Sequence, residues 1–455
     1  MDARVEQRGS APEPLRLMLG KVAQEPLALP RACRTGLRPW CKPFLLLGAM
    51  GALVRCGLIA SSSPYLGEAV AGLPRFCLER WQSLHETQAR VLLSESGVEP
   101  LPLRMLEEDY GLSLGLGDTV LGYGWTQGSP ELREAIAGLY EGAGPGNVLA
   151  TCGSAEANLL AVLALVQPGD TVVVDMPNYM QVWGLLRLRG ARVLEAWRSP
   201  VEGWRLPVDK LVGLVEEHRP RAVFVTNPNN PTGSAAYERE LEELAEAARR
   251  AGSVLVFDEV YRGLEHATGR RVPSIVEVAG LDAAVAVGGL SKVYGLPGLR
   301  VGWLVAGEET VERAWSVKDY TTIAVPMLGD RIASRVLGSP DVRAALEERA
   351  RRIVRANLET LRRLLAEPGY RGLLEPYWPA AGAYLLARVP WTRETMGLAE
   401  RLFQRRSVLV NPGECFMLPG TLRIGLGVDP TRFPGMAAEL LEALRIERDG
   451  RGGVG

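Results

Sequence analysis

From about Arg75 onward, short apolar runs alternate with amphipathic stretches. The runs Val148–Thr151, Thr171–Asp175, Arg192–Ala196, Ala222–Thr226, Val254–Phe257, Ala283–Val287 and Gly302–Val305 read as strands. Between them, Ala155–Val166, Tyr179–Leu188, Pro207–Glu217 and Tyr237–Arg250 carry helical spacing. Strands apolar on both faces and separated by helices belong to a mainly parallel sheet that helices cover on both sides. Upstream, Phe76–His85 reads as a helix, Arg90–Ser94 as extended and Leu101–Tyr110 as a helix. After Pro326 the helices lengthen, at Arg331–Val336 and Asp341–Leu365. Strand-like pieces follow at Ala383–Arg388, Val408–Val410 and Leu422–Leu426, with a closing helix at Gly435–Arg445. The pattern predicts an α/β protein with a large domain at residues 111–329. A smaller α/β domain is expected from both chain ends, 75–110 and 330–446, with a tail at 447–455. No internal repeat is visible.

Residues 1–74 have a different texture, without periodicity and with Pro12, Pro14, Pro26, Pro30, Pro39 and Pro43. The apolar stretch Phe44–Leu58 is interrupted by Arg55 and falls short of the ~20 residues of a membrane span. A secretory signal would place its apolar region nearer the first residue. The stretch is expected to be a poorly ordered extension, or to precede a natural start at Met50 or later.

Bulk properties narrow the function classes. A chain of 455 residues exceeds one ordinary core, so two or three domains are expected. Net charge is −1, which attracts neither nucleic acid nor anionic membrane. The six cysteines form no CxxC pair, which suits a reducing cytoplasm better than a disulfide framework. The three histidines lack metal-ligand spacing, so no metal site is expected.

Only five of the 52 basic residues are lysines. An amine can lose its proton and attack a carbonyl carbon, which a guanidinium cannot do. Lys292 follows the run Ala283–Val287, in Gly-Gly-Leu-Ser-Lys-Val-Tyr-Gly-Leu-Pro-Gly-Leu-Arg. Lys210 and Lys318 have no such company and are expected at the surface.

Ligands of open α/β sheets bind beyond the carboxyl ends of the strands. After Val148–Thr151 come Gly153, Ser154 and Ala155 at a helix start, suited to a phosphate. After Thr171–Asp175 comes Tyr179, an aromatic plate or a packing residue. After Ala222–Thr226, Asn-Pro-Asn-Asn-Pro-Thr-Gly presents Asn230 from a rigid loop. After Val254–Phe257 come Asp258 and Tyr261, and beyond Lys292 stands Arg300, a planar cation for a phosphate. A carboxylate at the end of an apolar strand needs a cation or donor, which a protonated pyridine supplies. Each signal alone has a structural explanation; together they match an aromatic aldehyde with a ring nitrogen, a ring hydroxyl and a phosphate. That molecule is pyridoxal 5'-phosphate.

The motifs Asn-Pro-Asn-Asn-Pro-Thr-Gly, Asp-Glu-Val-Tyr and Ser-Lys followed by Arg-Val-Gly-Trp resemble the class I/II aminotransferases, aspartate-aminotransferase-like among fold type I pyridoxal-phosphate enzymes. The resemblance runs from about Phe76 to Arg445. It implies a Lys292 Schiff base, with Lys292 also carrying protons, and Asp258 keeping the pyridine nitrogen protonated. It implies that Tyr261 and Asn230 bond the ring oxygen and that Tyr179 stacks on the ring. Gly153, Ser154, the Ala155 N–H, Ser291 and Arg300 would hold the phosphate. Tyr123 matches a tyrosine that reaches the partner subunit's phosphate, which implies a homodimer. Arg423 matches the arginine that grips the substrate α-carboxylate, and Gly97 lines the substrate side. Gly289 stands where many relatives carry a phosphate-binding serine, and no second arginine for a distal carboxylate is evident. The function implied is a cytoplasmic aminotransferase moving an amino group from an L-amino acid, aspartate among the candidates, to a 2-oxo acid such as 2-oxoglutarate. The alternatives are a lyase or cyclase using the same cofactor, and a ligand-sensing regulatory module. The regulatory reading lacks a helix pair in residues 1–72.

Overall fold

Seven strands form the central sheet of this computed structural model, which describes Tyr65, residues 67–70 and residues 72–451. They are β1 (Val148–Thr151), β2 (Thr171–Met176), β3 (Arg192–Trp197), β4 (Ala222–Thr226), β5 (Val254–Asp258), β6 (Ala284–Gly289) and β7 (Gly302–Val305). Their order across the sheet is β1-β7-β6-β5-β4-β2-β3. The pairs among β2 to β6 are parallel, whereas β7 runs antiparallel to both β1 and β6. Parallel neighbours need a long crossover, but β6 returns to β7 through a connection holding only the short turn Pro297–Leu299. Because β7 is flanked by two antiparallel partners, β1 and β6 point the same way. The carboxyl ends of β1, β2, β4, β5 and β6 therefore share one edge.

Both faces of the sheet are buried, which is why the strands read as continuous apolar runs. Leu149, Val172, Val174, Phe224 and Val256 pack with the helices Ser154–Leu165 and Glu308–Lys318. Val173, Val223, Val225, Leu255 and Phe257 face the other layer, with Leu211, Leu241 and Leu244 of the helices Val208–His218 and Glu238–Ala251. The helix Glu308–Lys318 escapes the sequence reading because only Val311, Ala314 and Lys318 are buried in it.

A smaller antiparallel sheet follows, with Glu375–Tyr377, Tyr384–Arg388, Thr421–Gly425 and Asn411–Pro412 in that spatial order. Chain ends meet here. Val91–Leu92 pairs in parallel with Val408–Leu409, and Trp81 Nε1 on the helix Cys77–His85 donates to Val410 O at 2.9 Å. The protein is thus α/β, mainly parallel, with a second smaller α/β part drawn from both ends. The expected extension over 1–74 lies mostly outside the described residues; within it, Glu68–Val70 pairs with Leu73–Pro74. No described helix is long and apolar enough to cross a membrane.

The expectation of unpaired cysteines is overturned for two of them. Cys77 and Cys415 form a disulfide across 338 residues of sequence, with their Cα atoms 5.0 Å apart. Spacing along the chain is blind to such a pair, because the approach of the two ends creates it. Cys152 is free.

Candidate active site

The shared strand edge carries a set of converging groups. Past β1 the backbone turns at Gly153, with φ +81°, into the helix Ser154–Leu165. A Cβ at Gly153 would stand 2.5 Å from Arg300 Nη2, so the guanidinium lies directly over this turn. A Cβ at Gly302 would stand 2.3 Å from the Ser154 nitrogen. Only glycine fits at either place, and the result is a cup. The Ser154 and Ala155 N–H groups head the helix, where intrahelical partners are lacking and the dipole is positive. Arg300 adds a full positive charge beyond that turn. Gly289 faces Ser154, with its would-be Cβ 3.6 Å from Ser154 Cβ, and offers no hydroxyl of its own.

Asp258 closes β5 and is buried. Its carboxylate accepts from Asn158 Nδ2 at 3.0 Å and from the Val260 N–H at 3.1 Å. Burial pushes its pKa up, opposed by these two hydrogen bonds and by the charge of Lys292. Lys292 is half-buried past β6. The segment around Gly97 runs against it: the Val98 N–H donates to Lys292 O at 3.2 Å, and a Cβ on Gly97 would sit 3.0 Å from Ser291 O and 3.4 Å from Lys292 Cδ. Any larger side chain at Gly97 would crowd the Ser291 carbonyl and the Lys292 side chain.

Three further residues form a chain of hydrogen bonds. Asn230 Nδ2 reaches the Tyr261 hydroxyl at 3.5 Å, and Arg423 Nη1 donates to Asn230 Oδ1 at 2.9 Å. Arg423 Nη2 donates to Ser94 O at 2.8 Å, and its guanidinium lies over the rings of Tyr384 and Phe416, 5.5 and 5.2 Å from their centroids. Arg423 is buried, yet its Nε has no hydrogen-bond partner. A buried guanidinium with a spare donor calls for an anion. Tyr179 is fixed by its hydroxyl, which donates to Glu79 Oε1 at 2.6 Å, and by edge contact with Phe76, ring centroids 5.0 Å apart.

Sequence reasoning missed Asn158, Ser94, Glu79 and Glu156. Asn158 carried a signal, because it lies four residues after Ser154 on one helix face. The deciding contacts of the others are with residues distant in sequence. Tyr123 is not brought to this subunit's cup; it is 96% exposed. Lys318, expected at the surface, is instead fully buried, because the helix ending on it packs under the cup.

These residues fit pyridoxal phosphate: a glycine cup under an arginine for the phosphate, a buried carboxylate beside an amine, and a buried arginine with a free donor. The chain matches the family "Aminotransferase class I and II" over residues 94–440. It is 32% identical to capreomycidine synthase of Streptomyces vinaceus over 391 residues, covering 85% of this chain and 98% of that one. It is 30% identical to an aspartate aminotransferase of Streptomyces avermitilis over 313 residues, covering 65% of this chain and 75% of that one. Among solved structures, the PLP-dependent cyclase OrfR superposes with TM-score 0.75 at 28% identity, covering 85% of this chain and all of that one. The chain belongs to the class I and II aminotransferases, a family of pyridoxal-phosphate-dependent enzymes.

Proposed function

We propose that the protein moves the amino group of an L-amino acid to a 2-oxo acid such as 2-oxoglutarate, using Lys292 as tether and base. Bound pyridoxal phosphate supplies a carbonyl that takes the amine and a protonated ring that draws electrons from the substrate Cα. Gly153, Ser154, Ala155, Ser291 and Arg300 hold the phosphate. Asp258 keeps the proton on the ring nitrogen, and Asn158 and the Val260 N–H aim it. Tyr261 and Asn230 meet the ring oxygen, and Tyr179 covers the ring. Arg423, held between the rings of Tyr384 and Phe416, takes the α-carboxylate through its spare Nε. That fixes the substrate Cα–H toward Lys292 Nζ, which removes the proton.

The carrying observation is Asp258, buried at a strand end and held there by Asn158 Nδ2 and the Val260 N–H. Two copies pair in this reading, and Tyr123 reaches the phosphate of the partner subunit. The exposed Val120, Leu121, Trp125 and Tyr320 supply the apolar contact. Lys292→Ala is expected to abolish both the visible absorbance of tethered cofactor and turnover; retention of both would sink the assignment. A panel of aspartate, glutamate, alanine and aromatic donors against 2-oxoglutarate reads the substrate.

A second reading, cyclisation or elimination on an amino acid, is supported by the 32% identity to capreomycidine synthase over 98% of its length and by the likeness to the solved cyclase. Donor alone separates the two. A transferring enzyme releases one equivalent of oxo acid per site and stops, whereas a cyclase or lyase turns over without an acceptor.

A further inference from the structure

Lys318 ends the helix Glu308–Lys318 and has no exposed surface. Its Nζ donates to Thr126 O at 3.0 Å and to Ile323 O at 2.7 Å. Both carbonyls lie in irregular loops, where no helix or strand supplies a donor. Burial lowers the lysine's pKa, and the Glu156 carboxylate raises it again. Glu156 lies in the first turn of the helix that opens at the glycine cup. It accepts from the Cys152 N–H at 2.6 Å and from the Thr322 hydroxyl at 2.8 Å, and also from the Thr321 hydroxyl. Trp315, on the helix of Lys318, donates to the Thr126 hydroxyl at 3.0 Å.

Three pieces of chain are thereby fastened at one place: the cup, the segment ending at Thr126, and the segment after Lys318. The two segments carry the outward-facing Leu121, Tyr123, Trp125 and Tyr320, 78%, 96%, 63% and 92% exposed. The Tyr123 arm starts three residues before Thr126, so the lysine sets where the arm leaves the surface. Glu156 sets the shape of the cup from the same place.

We infer that Lys318 is a positioning residue that couples retention of the cofactor phosphate to the association of two copies of this chain. The inference rests on the proposed dimer, in which each Tyr123 completes the other subunit's phosphate site. A compact ammonium with three donors on a flexible stem reaches two carbonyls in different loops, whereas a planar guanidinium needs more room and a fixed fork. Without the amine, both carbonyls are buried without a donor, and the two loops lose their common anchor. The dimer face then loosens together with the cup, so cofactor loss tracks subunit dissociation by mass action.

The test uses holoenzyme of the wild type, of Lys318→Met and of the double variant Thr321→Val with Thr322→Val. Subunit dissociation is followed by sedimentation across a dilution series, and bound cofactor is read on the same samples by absorbance. K318M is expected to dissociate at a subunit concentration at least tenfold higher. It should lose cofactor at that same shifted point, while the undiluted dimer keeps cofactor and the amino-donor KM of the wild type. Loss of a merely structural group would lower the melting temperature but leave the two midpoints where they were. That result overturns the inference, as does a shifted dissociation midpoint with cofactor retained in the separated subunits. Thr321 and Thr322 are exposed, so the double variant folds even where K318M does not. It should move both midpoints in the same direction, and unmoved midpoints overturn the inference. A wild type that stays monomeric with full cofactor would remove the dimer reading itself. A dimeric wild type with an indifferent K318M removes only the role of Lys318.

Discussion

Asp258 and Glu259 are neighbours in sequence, yet they face opposite sides of the sheet. Asp258 meets Asn158 beside Lys292, whereas Glu259 accepts from the Ser274 hydroxyl and the Ile275 N–H at 2.9 and 2.7 Å, with its other oxygen buried and unpartnered. Burial raises the Glu259 pKa from 4.5 to about 7. A carboxyl whose folded pKa is raised holds its proton more tightly folded than unfolded. Its contribution is therefore fully present below 4.5 and is lost as pH rises through about 7. Thermal unfolding of wild type and Glu259→Gln across that window should show the decline flattened in the variant, by on the order of 3 kcal/mol. Equal pH profiles would refute the assignment. At the substrate end, Arg423→Lys keeps a charge but loses the spare Nε and the fork. It should raise KM for amino acid and 2-oxo acid alike, about 10–100-fold, with cofactor absorbance intact. A rise for one substrate alone would argue against a shared α-carboxylate site.

At the scale of elements, the helix Cys77–His85 connects parts that the chain keeps far apart. It touches Tyr179 through Glu79, Ser94 O through Gln82 Nε2 at 3.2 Å, Val410 through Trp81, and Cys415 through the disulfide. Ser94 O also receives Arg423 Nη2, so the helix braces the arginine proposed to take the α-carboxylate. Opening the disulfide should cost about 2–4 kcal/mol, through freedom returned to the unfolded chain. Dithiothreitol should lower the denaturation midpoint of the wild type to that of Cys77→Ser and leave the variant unmoved. If reductant shifts both equally, the disulfide is not the cause. The element pattern itself was legible, with β1, β4 and β7 predicted at their observed limits. A helix with few apolar positions, such as Glu308–Lys318, was not, because only Val311, Ala314 and Lys318 of it are buried, one of them a lysine.

At the scale of the whole molecule, Leu121, Tyr123 and Trp125 form an exposed apolar face, which the proposed dimer would cover with a second copy. Leu121→Glu places a charge on that face without touching the core. The variant is expected to sediment as a monomer and to shed cofactor on dilution; an unchanged dimer would assign the face to something else. The strand-end positions of Lys292 and Asp258 could be read from the chain, because each follows or closes a buried strand and strand ends are visible in hydrophobic periodicity. The direction of β7, the Cys77–Cys415 bond, the Asn230–Arg423 hydrogen bond and the burial of Lys318 were not visible there. Each joins segments far apart in sequence, and periodicity records which face of an element is buried but not what covers it. Lys292 and Lys318 mark the division. Both are rare amines in an arginine-rich chain; a neighbouring motif identifies the first, and only packing against Thr126 and Ile323 distinguishes the second from a surface lysine.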